Sequence, residues 1–287
     1  MSWAIILHGG ATTITDDEAE AYRAGCLAAL VAGCAVLERD GLALEAVEAA
    51  IRLMEDDPTF NCGTGSAINA EGGVEMCSAI MDGHSFDVGG VSIIQGVRHP
   101  ISVAHAMLRD EAILIAGPAA RDYARDRRQE LCKPDELKTE KKEKAARKAH
   151  DTVGCLALDT AGHLAAGTST GGLDGKPAGR VGDSPHPGCG FYADDQVRAV
   201  AYSGDGEHIA RMMLAARTWQ LLPLMDPERA VTAALSHVAR IAGEAGGIVL
   251  SPDGTTGWDH NSPHFAVAQA SSASPTRVVN LAKRETQ

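Results

Sequence analysis

Aromatic side chains are scarce in this 287-residue chain, where Phe, Tyr and Trp make up 4% of the total. That argues against a binding module built on aromatic stacking platforms. Positive charge is also short. Twenty-six Lys and Arg against 38 Asp and Glu leave a formal net charge of −12. Nucleic acid is therefore not expected as a partner, because phosphate contacts need a basic surface. The seven cysteines (26, 34, 62, 77, 132, 155 and 189) are odd in number and form no CxxC pair. They read as reduced thiols of a cytoplasmic protein, not as a disulfide framework. The eleven histidines show no HExxH motif and no paired spacing, so no zinc site is expected. No run approaches the length of a membrane span. Residues 3–7, WAIIL, are too short for a signal peptide and lack a basic region before them.

Glycine and aliphatic residues are plentiful. Thirty-one glycines and a hydrophobic share of 45% suit a sheet-rich α/β enzyme with tight turns, large enough to bury a core as a single domain over 1–287. Residues 2–7 read as a buried strand ended by His8-Gly9-Gly10. Residues 17–39 and 43–55 carry apolar positions at helical spacing, and 56–69 is turn-rich. Two strands are expected within 74–97, helices near 100–109 and 118–130, and a short strand, AILIA, between those helices. Residues 130–151 then form a charged tether, exposed and open to cleavage. Past it come strands at 152–158, 163–167 and through VRAVAYSG, helices at 207–218 and 227–243, and strands at GIVL, HFAVAQ and TRVVNLA. The mixture points to sheets covered by helices.

Thr152 sits where the tether meets an apolar run, HDTVGCLA. A threonine there is ordinarily a β-branched residue opening a strand. Three other features give it a chemical context. Thr168, Ser169 and Thr170 precede Gly-Gly, Arg180 and Asp183 lie in GRVGDSP, and SGDGE (203–207) ends a strand and opens a helix. Each has a plain structural reading: a turn cap, an ion pair, a helix cap. Together they supply a hydroxyl nucleophile, a charged pair able to grip a zwitterion, and backbone N–H groups able to stabilise an oxyanion. A threonine hydroxyl needs a base. Its own α-amino group, with a pKa of about 8, serves if the chain is cut between Asp151 and Thr152.

These motifs resemble those of the plant-type asparaginases, or isoaspartyl peptidases, of the N-terminal nucleophile hydrolase superfamily. The matching segments are IILHGGA (5–11), FNCGTGSAIN (60–69), VEMCSAIMDG (74–83), HDTVGCLALD (150–159), AAGTSTGG (165–172) and GRVGDSPHPGCGFYADD (179–195). With SGDGE they span nearly the whole chain. The resemblance implies a four-layer αββα sandwich and autocleavage into a 1–151 α subunit and a 152–287 β subunit. It implies a homodimer of processed αβ units acting on asparagine or isoaspartyl dipeptides. Thr152 is then the nucleophile and Thr170 assists it. Arg180 holds the substrate α-carboxylate, and Asp183 with the carbonyl of Gly206 holds the α-ammonium. Ser203 and the N–H of Gly204 build the oxyanion hole, with Asn61 near the nucleophile. No organic cofactor is implied. A structural sodium ion is, held by backbone carbonyls of Met54, Glu55, Asp57, Phe60, Cys62 and Thr64.

The chain departs from that pattern at four places. Ser203 stands where threonine is common, Asp205 where a small residue is common, and Cys77 where aspartate is common. Asp151 before the nucleophile matches glycosylasparaginases, whereas many bacterial asparaginases carry glycine. A glycosylasparaginase-like amidase and a non-catalytic asparagine-binding relative are the alternative readings.

Overall fold

The structure, a computed structural model, describes residues 2–139, 151–274 and 277–286. Among them the chain forms twelve strands in two sheets, with seven α-helices. Strand β1 (Ala4–Thr12) does not end at His8 as expected. It continues through both glycines, and Ala11 and Thr12 pair with Phe265 and His264. The register slips between His8 and Ala11, where Gly10 at φ 115° takes a backbone conformation costly for any side chain.

The large sheet combines β1 with β2 (Met76–Asp82), β3 (Val88–Ile94), β4 (Ile115–Ala116), β5 (Val153–Leu158), β6 (Leu164–Thr170), β11 (His264–Ser271) and β12 (Val278–Asn280). Its order is β12-β11-β1-β5-β6-β2-β3-β4. The small sheet holds β7 (Phe191–Asp194), β8 (Arg198–Gly204), β9 (Ala245–Leu250) and β10 (Thr256–His260), in the order β10-β9-β8-β7. Strands from both sides of the Asp151-Thr152 bond interleave, since β5 lies between β1 and β6.

The period of the strands explains the packing. Ile5, Leu7, Val153, Cys155 and Ala157 point to one face, against helices α1 (Asp16–Leu37) and α2 (Ala43–Asp56). Ala4, Ile6, Leu156 and Leu158 point to the other and meet Phe191, Ala201 and Ile248 of the small sheet. Both faces are buried, so β1 and β5 read as apolar runs instead of alternating patterns. Helices α3 (Pro100–Ala106) and α4 (Pro118–Asp126) pack beside β3. Helices α5 (Gly206–Met212), α6 (Leu214–Leu221) and α7 (Pro227–Ala239) flank the small sheet.

Some expectations fail for identifiable reasons. The helix expected over 207–218 is two helices, because Met213 adopts a left-handed conformation at φ 47°. Strands β7 and β10 are short and were not anticipated. Helix α1 is long and apolar enough to cross a membrane, by length and composition, which the sequence reading missed. It lies on the large sheet and buries Tyr22, Cys26, Ala29, Leu30 and Cys34.

The start of the charged segment is docked, not a free tether. Leu131 bridges to Val97, the Cys132 amide donates to the Gly96 carbonyl, and the short 3₁₀ turn Pro134–Leu137 buries Leu137. Residues 140–150 lie outside the described residues.

Candidate active site

Three strand ends converge on one pocket. Thr152 precedes β5, Thr170 ends the adjacent antiparallel β6, and Gly204 ends β8 in the facing sheet. The register pairs Val153 with Ser169, which sets Thr152 beside Thr170. The pocket is lined by Asp151, Thr152, Thr170, Gly172, Leu173, Arg180, Asp183, Ser184, Gly204 and Gly206. Six of the residues expected to carry the chemistry therefore share one cavity with Asp151.

Asp151 and Thr152 are both buried, at 4% and 6% exposure. The bond is thus not exposed, contrary to the sequence expectation. A separate protease could not reach it in this conformation, whereas neighbouring hydroxyls already surround it. Thr170 Oγ1 donates to the Asp151 carbonyl at 3.4 Å and accepts from the Gly172 amide at 2.9 Å. The Asp151 carboxylate accepts from the Tyr22 hydroxyl at 3.3 Å, and a side chain at Gly10 would strike it.

Both polar atoms of Thr152 are engaged. Its backbone nitrogen donates to Ser203 Oγ at 3.0 Å, and its Oγ1 lies 3.1 Å from Ser184 Oγ. Ser203 Oγ also accepts from the Ala11 amide at 3.0 Å. The Ser203 hydroxyl is fully buried and sits on the nitrogen of Thr152, a contact its motif did not disclose. Gly204 does face the pocket. Its φ of 140° and its contact with the Glu244 carbonyl leave no room for a Cβ.

Asn61 is one step removed. Its side chain donates to the Gly172 carbonyl and accepts from the Ala67 amide, both at 2.7 Å, while its own carbonyl accepts from the Gly171 amide. It fixes the backbone after Thr170 without lining the pocket. The hydroxyl run 168–170 follows strand alternation. Thr168 Oγ1 donates to the Ser184 carbonyl at 2.7 Å on the pocket side, and Ser169 Oγ donates to Glu55 at 2.6 Å on the helix side. Glu55 is fully buried, and burial pushes its pKa up to about 8.

Arg180 and Asp183 form the charged end. Burial pushes Asp183 up to about 7, with Arg180 opposing and Glu207 adding to the rise. Asp183 Oδ2 is buried with no hydrogen-bond partner among the described residues. Such an atom is costly unless a donor arrives, and an ammonium would satisfy it. A Cβ at Gly206 would meet Asp183 Oδ1 at 2.8 Å and Arg180 Nη2 at 3.0 Å, so the glycine lets all three groups close on one ligand.

Sequence reasoning missed four residues. Ser184 and Glu207 lie within the quoted motifs but were given no role. His8 is wholly buried beside the Thr152 backbone, and burial pushes its pKa down to about 3, so it stays neutral and is a weak base. A Cβ at Gly154 would collide with the His8 ring. Tyr22 sits in a helix whose spacing marks it only as apolar.

The comparisons agree with this arrangement. The asparaginase family profile matches residues 1–279. The human isoaspartyl peptidase/L-asparaginase is 36% identical, covering 94% of each chain. That of Xenopus laevis is 34% identical over 94% of this chain and 93% of its own. The plant-type L-asparaginase of Thermococcus kodakarensis is 36% identical over 92% of this chain and 95% of its own. A match of that reach, over the same segments that build the pocket, places the chain in the asparaginase family.

Proposed function

We propose that the chain is an L-asparaginase and isoaspartyl peptidase that works through Thr152 after cutting itself at Asp151-Thr152. The observation that carries this is the surrounding of Thr152: hydroxyls on both its nitrogen and its Oγ1, in a pocket shared with Arg180 and Asp183. The names of the relatives favour these substrates over glycosylated asparagine.

In maturation, Thr152 Oγ1 attacks the Asp151 carbonyl carbon, whose oxygen Thr170 Oγ1 polarises. The C–N bond breaks, the nitrogen takes the proton, and an ester remains. Water hydrolyses that ester, leaving the Asp151 α-carboxylate and a free Thr152 amine. Turnover repeats the chemistry on substrate. Arg180 takes the α-carboxylate in a charge-assisted fork, and Asp183 takes the α-ammonium with the Gly206 carbonyl. The Thr152 amine, held by Ser203 Oγ, accepts the Oγ1 proton as Oγ1 attacks the β-carbonyl. The Gly204 N–H stabilises the oxyanion. Ammonia or an α-amino peptide departs with the proton, and water releases aspartate from the β-aspartyl ester.

The packing of two sheets with outer helices fits the four-layer αββα sandwich of N-terminal nucleophile hydrolases. We place the processed αβ units in a cytoplasmic homodimer. The loop carbonyls of Met54, Glu55, Asp57, Phe60, Cys62 and Thr64 are assigned to a structural sodium ion. The tight winding there supports this, since a Cβ at Gly65 would lie 2.7 Å from the Pro58 carbonyl and 2.9 Å from that of Phe60. Sodium would neutralise converging carbonyl dipoles and take no part in the reaction. The test of function is kinetic: kcat/KM on asparagine, β-aspartyl-leucine and N-glycosylated asparagine, with the first two exceeding the third.

A further inference from the structure

We propose that His84, His163 and Asp195 form a binding site for a first-row transition-metal dication of the zinc type, at the pole opposite the catalytic pocket. The three residues come from three separate turns: His84 after β2, His163 before β6, and Asp195 between β7 and β8. Their spacing in sequence carries no metal signature, which is why the histidines read as scattered. In the fold one nitrogen of each imidazole and one carboxylate oxygen all lie within 4.8 Å of one another. Asp195 Oδ2 is 2.8 Å from His163 Nδ1 and 3.4 Å from His84 Nδ1. Tetrahedral coordination with bonds of about 2.0–2.1 Å puts ligand atoms roughly 3.3 Å apart, a spacing that the two Asp195 pairs bracket and that side-chain rotation of the exposed His84 would complete.

The surroundings hold the ligands in place. Asp195 Oδ1 accepts from the Leu164 amide at 2.7 Å, which turns Oδ2 toward both imidazoles. The Asp195 amide donates to the Gly83 carbonyl, and the Gly83 amide to the Leu164 carbonyl, lacing the three turns together. Asp82 accepts from the His84 amide at 3.0 Å, and Asp159 from the His163 amide at 3.0 Å. These bonds fix the backbone of the two turns that carry the imidazoles. Asp82 and Asp159 also add negative charge beside His163, which favours a cation. Two imidazoles and a carboxylate suit zinc, nickel or copper better than calcium or magnesium. Three protein ligands leave a position for water.

The site is far from the pocket. His163 and Thr170 sit at opposite ends of β6, roughly 20 Å apart at strand rise. A metal there would clamp three turns without entering the amidase chemistry.

Calorimetric titration of the metal-stripped, untagged enzyme with zinc chloride tests this, alongside His84→Ala and His163→Ala. The His84 side chain is mostly exposed, so His84→Ala leaves the fold intact, and asparagine hydrolysis should match the parent. The expected result is one zinc per chain, weakened at least tenfold in either variant. The cobalt adduct should show no thiolate charge-transfer band. No zinc binding by the parent, undiminished binding by His84→Ala, or a thiolate band abolished by Cys189→Ser would each overturn the assignment.

Discussion

One edge of the Arg180 guanidinium is clamped by Glu207: Nε and Nη2 donate to the two carboxylate oxygens at 2.8 and 2.6 Å. The other edge, at Nη1, faces Gly172 and Gly182, where a Cβ would come within 3.4 Å of it. Glu207 therefore orients the fork and leaves its free edge for a substrate carboxylate. Glu207→Ala should raise KM for asparagine about tenfold with a smaller change in kcat, since the loss falls on positioning. An unchanged KM would show that Arg180 holds its place without the clamp.

Asp183 makes activity pH-dependent. Burial pushes its pKa up to about 7, and it grips an ammonium only when ionised. The kcat/KM of the processed enzyme should fall as pH drops through about 7. Glu207 contributes to the rise, so Glu207→Gln should move that acid limb to lower pH. Asp183→Asn should abolish the limb and cost at least 100-fold in kcat/KM. A limb unmoved by Glu207→Gln would assign it to another group.

Glu55 should set a pH dependence of stability. Its folded pKa is raised to about 8 from an unfolded value near the ordinary 4.5. Between those values the folded chain holds a proton that the unfolded chain has released. Stability contributed by this group is therefore full below about pH 4.5 and declines as pH rises through about 8. Glu55→Gln should flatten the change in Tm between pH 5 and 8, measured calorimetrically. A slope equal to the parent's would mean other groups dominate.

Much of this was legible beforehand. TSTGG, GRVGDSP and SGDGE each supply pocket residues, because in each the polar groups adjoin glycines that end a strand or tighten a turn. The hidden parts depended on distant neighbours. Gly9-Gly10 reads as a stop, yet pairing with Phe265 and His264 carries β1 through a bulge. Met213 breaks a helix although nothing in its type marks a left-handed residue. The contact of Ser203 with the Thr152 nitrogen was hidden too, since only packing of β8 against β1 and β5 brings the two together. Exposure of the Asp151-Thr152 bond was inferred from its charged flank, while the fold buries it.

The Asp151 carboxylate, set between Tyr22 and Gly10, should govern the rate of maturation. Asp151→Gly removes the Tyr22 contact and should change the half-time of chain cleavage at least threefold, followed by electrophoresis over time. An identical time course would leave Asp151 a spectator.

The central claim is that Thr152 cuts the chain and then performs the hydrolysis. Intact-mass measurement of purified protein tests it most directly, comparing the parent chain with Thr152→Ala. The account predicts two fragments, 1–151 and 152–287, for the parent together with asparagine hydrolysis, and one uncut inactive chain for the variant. A Thr152→Ala protein that is fully cut and active would contradict it.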